Sequence, residues 1–409
     1  MASRPSVLHW PALILFLFIA ISITLLAGVA AIMALAGIVQ LFNYHDNETG
    51  TTLLIMAVSM ILSSLLLALA GYQALRRTSG HETAEQAVKL TLSSWHIRLA
   101  LIIWPASIIL GQLVINQTDF AWSLLPALNM LAVGIPVWLL VGLGSGGIVL
   151  GPRWRAWGIF GLGLTLGPFL IFAAETLLFA SLCALGAIYI ALNPGLLQTI
   201  NALAVRLMYA PSEQAVLRAL TPYIFRPATI FAVFASVSAL IPIIEELLKP
   251  IGVWLFAEDI RTPAEGFALG VLSGAGYALF ESLGASAQAG STWGALLAAR
   301  LGTSLLHVLT SGLMGWALVL AWRERRFLRL AAVYLLAISM HGLWNALSVT
   351  MTLATVVKFA AVPGAYQQMT WIAPIGLATL TIGMIIVLRA CNRRLRKSTA
   401  ASEPAKEAL

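Results

Sequence analysis

Charged side chains are scarce in this 409-residue chain: they make up 10% of it, where soluble globular proteins carry about 25%. With 60% of the residues hydrophobic, a soluble fold is excluded and an integral membrane protein is indicated. Cysteine is nearly absent. Cys183 lies inside an apolar stretch and Cys391 beside a basic tail, so neither a disulfide nor a thiolate metal cluster is expected. The soluble zinc-protease signature H-E-x-x-H is missing, because His81-Glu82 has no second histidine at the required spacing. A cleavable leader is also not expected, since the first apolar run, 10–42, is too long and lacks a small-residue cleavage site. No long repeat and no low-complexity block occurs. The glycines of 142–151 are not followed by Gly-Lys-Ser/Thr, which excludes a phosphate loop and leaves Gly142 and Gly146 as a helix-packing pair.

What the chain does have is apolar length. A spanning helix needs about 20 apolar residues, and ten stretches qualify: 10–42, 51–75, 99–116, 121–150, 157–192, 228–256, 266–285, 292–321, 330–352 and 370–390. The expected fold is therefore all-α, a polytopic bundle of about ten transmembrane helices. Its 24 Lys and Arg outnumber its 16 Asp and Glu, for a net charge of +8. Because that surplus sits between apolar runs, it serves as an orientation signal, and nucleic-acid binding is excluded. Threading ten spans with both the N- and C-termini in the cytoplasm leaves 18 cations inside and four outside (Arg206, Arg218, Arg226, Lys358), with Lys249 and Arg300 in the membrane.

Five segments follow. Residues 1–192 form a five-span region to which the sequence assigns no role. Residues 193–227 form a connection in which Leu196, Leu197, Ile200, Leu203, Ala204 and Leu207 recur at helical spacing, as in an amphipathic helix lying in the interface. Residues 228–352 hold four spans, 353–397 the last span and a basic cytoplasmic end, and 398–409 a polar tail expected to be disordered.

An ionisable residue at the bilayer centre costs at least about 2.5–3.5 kcal/mol on insertion scales, so those present in the spans mark function. Apart from Glu175 in the fifth span, they fall in four consecutive ones: Glu245, Glu246 and Lys249, then Glu281, then Arg300 and His307, then His341. Lys249 follows Glu245 by four residues and Glu246 by three, so on a helix its ammonium can reach either carboxylate. Pro250 and Pro242 deprive the carbonyls of Glu246 and Ser238 of their helical donors, which predicts a kink or local unwinding. Gly266, Gly270 and Gly274 form a small-residue stripe, and Glu281 projects within about 20° of the last two, toward a neighbouring helix. Arg300, Thr303, His307 and Ser311 share one helix face. His341 and Asn345 are one turn apart and address the same point. Two imidazoles with carboxylates supply either a zinc site, with ligands at about 2.0–2.2 Å, or metal-free activation of water by a carboxylate, with His and Asn donors to an oxyanion.

Glu245-Glu246-x-x-Lys249, the aromatic Tyr277 four residues ahead of Glu281, His307 following Arg300, and His341-Gly-Leu-Trp344-Asn345 resemble, in order and on separate spans, the motifs of the PrsW family of intramembrane proteases. That family is distantly similar to the CAAX prenyl endopeptidases and bacteriocin-processing proteins. The resemblance covers residues 228–352 and implies a protease-like catalytic core there. It implies a multi-pass endopeptidase of a prokaryotic plasma membrane that cuts membrane-anchored protein substrates, in its best-known member an anti-sigma factor. Catalytic roles then pass to Glu245, Glu246, Glu281, His307, His341 and Asn345, supporting roles to Lys249 and Arg300, and a metal, if zinc is used, to His307, His341 and Glu281. The family's usual phenylalanine is Tyr277 here. A proton-coupled transporter is the competing class, because buried Glu, His and Lys also relay protons; the absence of a matching polar cluster in the first half favours the enzyme.

Overall fold

The computed structural model describes residues 9–80, 87–115, 118–288, 290, 292–359 and 367–402. In chain order these form α1 (Trp10–Phe42), α2 (Asn47–Thr78), β1 (Ala87–Lys89), α3 (Ser94–Ile115), α4 (Thr118–Ser145), β2 (Val149–Pro152), α5 (Arg153–Leu164), α6 (Leu166–Ala191), α7 (Pro194–Met208), α8 (Glu213–Ile224) and α9 (Pro227–Ala235). A π-helical turn, Ser236–Leu240, leads into α10 (Ile241–Leu248). Then come α11 (Ile251–Leu255), α12 (Pro263–Ala285), α13 (Trp293–Glu324), α14 (Phe327–Phe359) and α15 (Met369–Ser402). Among the described residues, ten helical stretches are long and apolar enough to cross a membrane, and they coincide with the ten expected. The last helix continues to Ser402, and the rest of the polar tail, 403–409, lies outside the described residues.

Local chemistry sets the helix ends. The Asp46 carboxylate accepts from the Thr49 N–H at 3.0 Å, and Thr262 and Ser212 cap α12 and α8 in the same way. Pro194, Pro227 and Pro263 open their helices, where a missing N–H leaves no bond unmade. The fifth stretch, expected as one continuous helix, is interrupted at Thr165. There the hydroxyl turns back to the Gly161 carbonyl at 2.7 Å, and the side-chain-free Gly163 lies against the backbone of Ser273.

Two compact units are each assembled from separated stretches of chain. The first comprises Met1–Phe169, Leu247–Tyr334 and Met384–Leu409. Its core is α12 and α13, which are mostly buried and pack against each other and against α4 and α5. Close packing depends on glycine. A Cβ at Gly266, Gly270 or Gly274 would run into the backbone of α13 at Gly315, Ser311 and His307, so the stripe lets the two backbones touch.

At one end of this unit β1 pairs antiparallel with β2, a strand pair the sequence does not announce. Gly147 and Gly151 take positive φ values of 76° and 72° to make its turns. The same end holds a buried ion pair. Arg155 of α5 contacts Glu265 in the first turn of α12 and donates to the Asp259 carbonyl at 2.6 Å. Arg323 bonds the carbonyls of Glu258 and Ile260, and Asn392 of α15 donates to those of Gly144 and Gly146. Lys89, Arg153, Arg155, Arg261, Arg323 and the basic stretch of α15 thus gather at one end of the unit. The charge rule assigns that end to the cytoplasm. Reporter fusions after Arg76 and after Arg326 should both read cytoplasmic; a periplasmic signal at either would reverse the orientation.

The second unit comprises Leu170–Glu246 and Leu335–Gly383. It holds most of α6, then α7 to α9, the π turn, α10 as far as Glu246, and the adjoining parts of α14 and α15. The 193–227 connection is helical over α7 and α8, and none of the α7 side chains is buried. Gly376 of α15 accommodates Leu347 of α14.

Candidate active site

In the second unit the π turn has a definite cause and a definite partner. Pro242 has no N–H to return to the Ser238 carbonyl, and the chain widens so that the Ile241 N–H reaches back to Ser236. The surplus carbonyls are met by α14. Asn345 Nδ2 donates to the Val237 carbonyl at 2.9 Å, and Gly342 lies so close to the Ser238 carbonyl that any Cβ would strike it. One turn before Asn345, the His341 Nδ1 is 2.8 Å from Glu246 Oε1, and its Nε2 stands 4.0 Å from Glu245 Oε2. His341 and Glu246 are almost fully buried, and Glu245 is 7% exposed. This unit therefore brings together Glu245, Glu246 and His341, with Asn345 holding the turn that leads to them. As expected from the two prolines, the helix is broken twice, at the π turn and at Lys249-Pro250.

The first unit gathers the other four candidates. The Lys249 ammonium lies 2.7 Å from His307 Nδ1, and His307 Nε2 lies 2.6 Å from Glu281 Oε2. Arg300 closes the row at 2.8 Å from the same carboxylate oxygen and 3.1 Å from the Ser282 hydroxyl. An ammonium only donates, so the lysine assigns the lone pair to Nδ1 and the proton to Nε2, which gives it to Glu281. Helical spacing points Lys249 at the glutamates beside it in sequence, and the structure places its ammonium against His307, 58 residues away. The Tyr277 ring stands edge-on to His307 at 4.9 Å and lies 5.1 Å from the lysine ammonium. An aromatic at this position thus walls the imidazole and meets the cation with its electron-rich face. Glu281 reaches α13 because Gly274, two turns earlier on α12, lets the helices touch, as the stripe predicts.

Sequence reasoning misses several contributors. Ser273 donates to the Lys249 carbonyl at 2.6 Å, where the helix is interrupted, and Ser282 faces Ser304 at 3.2 Å. Nothing marks these serines in the sequence beyond their lying on the two packed helices, Ser273 and Ser282 on α12 and Ser304 on α13. Among the described residues, no group of three His, Cys, Asp or Glu is placed to hold a metal ion.

Residues 151–375, more than half of the chain, match the family described as PrsW family intramembrane metalloprotease. The match begins well ahead of the 228–352 region that carries the motifs, so α5 to α8 are part of the family's shared body. No curated protein and no solved structure matches the chain. The chain belongs to the PrsW family of intramembrane metalloproteases, and it is on that membership an intramembrane peptidase.

Proposed function

We propose that the protein hydrolyses a peptide bond in a membrane-anchored protein of a prokaryotic cell membrane, with a signalling protein such as an anti-sigma factor as the substrate class. The observation that carries this reading is the buried Glu246–His341 pair with Glu245 across the other ring nitrogen. A carboxylate on Nδ1 fixes the imidazole and stabilises its protonated form, in which Nε2 is also a donor. In this mechanism the Glu245 carboxylate takes a proton from water as the oxygen adds to the peptide carbonyl carbon, and that proton passes to the departing amine nitrogen. His341 and the second amide hydrogen of Asn345 donate to the oxyanion. In the first unit, Lys249 and Arg300 balance the charge of Glu281 and hold the His307 ring between them.

The family's description names a metal, and the donors of the first unit do not fit one. Both ring nitrogens of His307 are taken, one by an ammonium, and Glu281 is clamped by Arg300. A dication ligated there would have to displace Lys249 and sit between two cations, at a large Coulomb cost in a low-dielectric interior. Among the described residues of the second unit, no group of three His, Cys, Asp or Glu is placed to supply the three protein ligands of a catalytic zinc. No step here runs through a metal.

The test is cleavage of a single-span protein substrate by the purified protein in proteoliposomes. Wild type should cut it, and Asn345→Ala, which loses one oxyanion donor, should be slower by about 10²–10³. An Asn345→Ala variant of unchanged rate would remove the oxyanion role.

A further inference from the structure

The first unit contains a cavity of about 420 Å³ outside either polar cluster. Its wall comes from the middle of α2 (Leu62, Leu66), the second half of α4 (Gly134, Trp138), α5 (Trp157) and α12, with the β1–β2 pair across one end. We propose that it is a binding site for one acyl chain of an anionic phospholipid.

Three observations carry this. First, protein interiors pack to crystal density, with few voids larger than a water molecule. This space lies instead within the roughly 300–1,000 Å³ range of ligand pockets. Among the described residues, no charged side chain lines it. An apolar cavity of this kind does not hold water, and in a bilayer the surrounding phase that matches it is hydrocarbon. Second, Gly134 has no packing purpose. Gly142 and Gly144 on the same helix are pressed against Leu92, Val271 and Leu388, whereas a Cβ built on Gly134 meets nothing within 4 Å. A glycine in the middle of a helix costs about 0.5–1 kcal/mol relative to alanine, and at Gly134 its effect is to widen the cavity.

Third, the cavity's strand-capped end is the basic end. Val88 and Leu90 line it, so the exposed Lys89 between them points to the other side of the strand, at the rim. The His96 ring stands edge-on to the lining Trp138 at 6.5 Å, which brings the first turn of α3, with exposed Arg98 two residues on, to the same place. Apolar depth beneath a cationic rim complements a lipid with a negative headgroup. The lipid also touches the helix of the first cluster, because Leu279, which lines the cavity, precedes Glu281 by two residues on α12.

The experiment uses the full chain in nanodiscs containing phosphatidylglycerol with a photoreactive diazirine on its acyl chain, read by mass spectrometry of labelled peptides. Labels should map to α2 and α4 around Leu62, Leu66 and Trp138, and excess unlabelled phosphatidylglycerol should remove them. Gly134→Phe, whose Cβ meets nothing within 4 Å, puts a ring into the space and should lower labelling at least tenfold while helix content and thermal unfolding stay as in wild type. Lys89→Gln with Arg98→Gln should lower it severalfold, and the same probe on phosphatidylcholine should label weakly. Labelling that is not competed overturns the site whatever the variants do. So does labelling unchanged in a folded Gly134→Phe protein, and equal labelling by the two lipids overturns the headgroup assignment.

Discussion

Glu245→Gln should yield a folded protein with almost no peptidase activity. The substitution keeps the shape of the side chain and its capacity for hydrogen bonds but removes the negative charge that stands 4.0 Å from His341 Nε2. Gln cannot take a proton from water near neutral pH, so the loss should exceed the 10²–10³ typical of one missing oxyanion donor. Glu246→Gln is the informative companion. Its amide oxygen can still accept from His341 Nδ1 but no longer stabilises an imidazolium, so cleavage should fall while remaining measurable. Turnover of a single-span substrate, with far-ultraviolet circular dichroism as the folding control, reads both. Near wild-type rates in the two variants would return the diglutamate to a structural ion pair in a kinked helix.

The second large effect is expected at the entry of α12. Arg155 and Glu265 are both buried, and the guanidinium is shared between the Glu265 carboxylate and the Asp259 carbonyl. Glu265 also accepts from the Arg261 N–H at 2.8 Å, so one arginine fixes the entry of α12. Arg155→Ala should destabilise the protein by about 3–5 kcal/mol, because it strands a buried carboxylate without its counter-ion. Arg155→Met combined with Glu265→Met removes both charges and should recover much of that loss. Thermal unfolding in one detergent compares the three. If Arg155→Ala unfolds at the wild-type temperature, the pair contributes nothing and α12 is held by packing alone.

These two sites differ in how far the sequence announces them. Spans are legible because hydrocarbon demands about 20 apolar residues of each, and all ten stretches agree with the helices. Glu281 is legible as inward-facing because glycines on the same helix face fix its direction. The Pro242 and Pro250 interruptions follow from missing N–H groups. By contrast, Arg155 reads only as one more cation in a basic connection, since its carboxylate partner is 110 residues away. The β1–β2 pair is hidden for the same reason, its strands being three and four residues long and separated by two spans. The break at Thr165 is not marked in the sequence, because apolar residues and glycines run on directly on both sides of it. Asn345 is found as a polar residue one turn after His341, but its bond to the Val237 carbonyl needs the π turn, which no periodicity predicts.

That turn acts as a phase shifter. Each residue of an α-helix advances the azimuth by about 100°, and a π turn takes up one more residue than an α turn over the same arc. Everything before Ser236 can therefore keep a lipid-facing apolar surface dictated by the membrane, while everything after Leu240 is rotated by roughly one residue's worth of angle. Two demands that a regular helix would force into register, solvation of the outer segment by lipid and the bearing of Glu245 and Glu246, become independent variables. The azimuth of the acids is then set by a single surplus residue, clamped in place from α14 by the amide of Asn345.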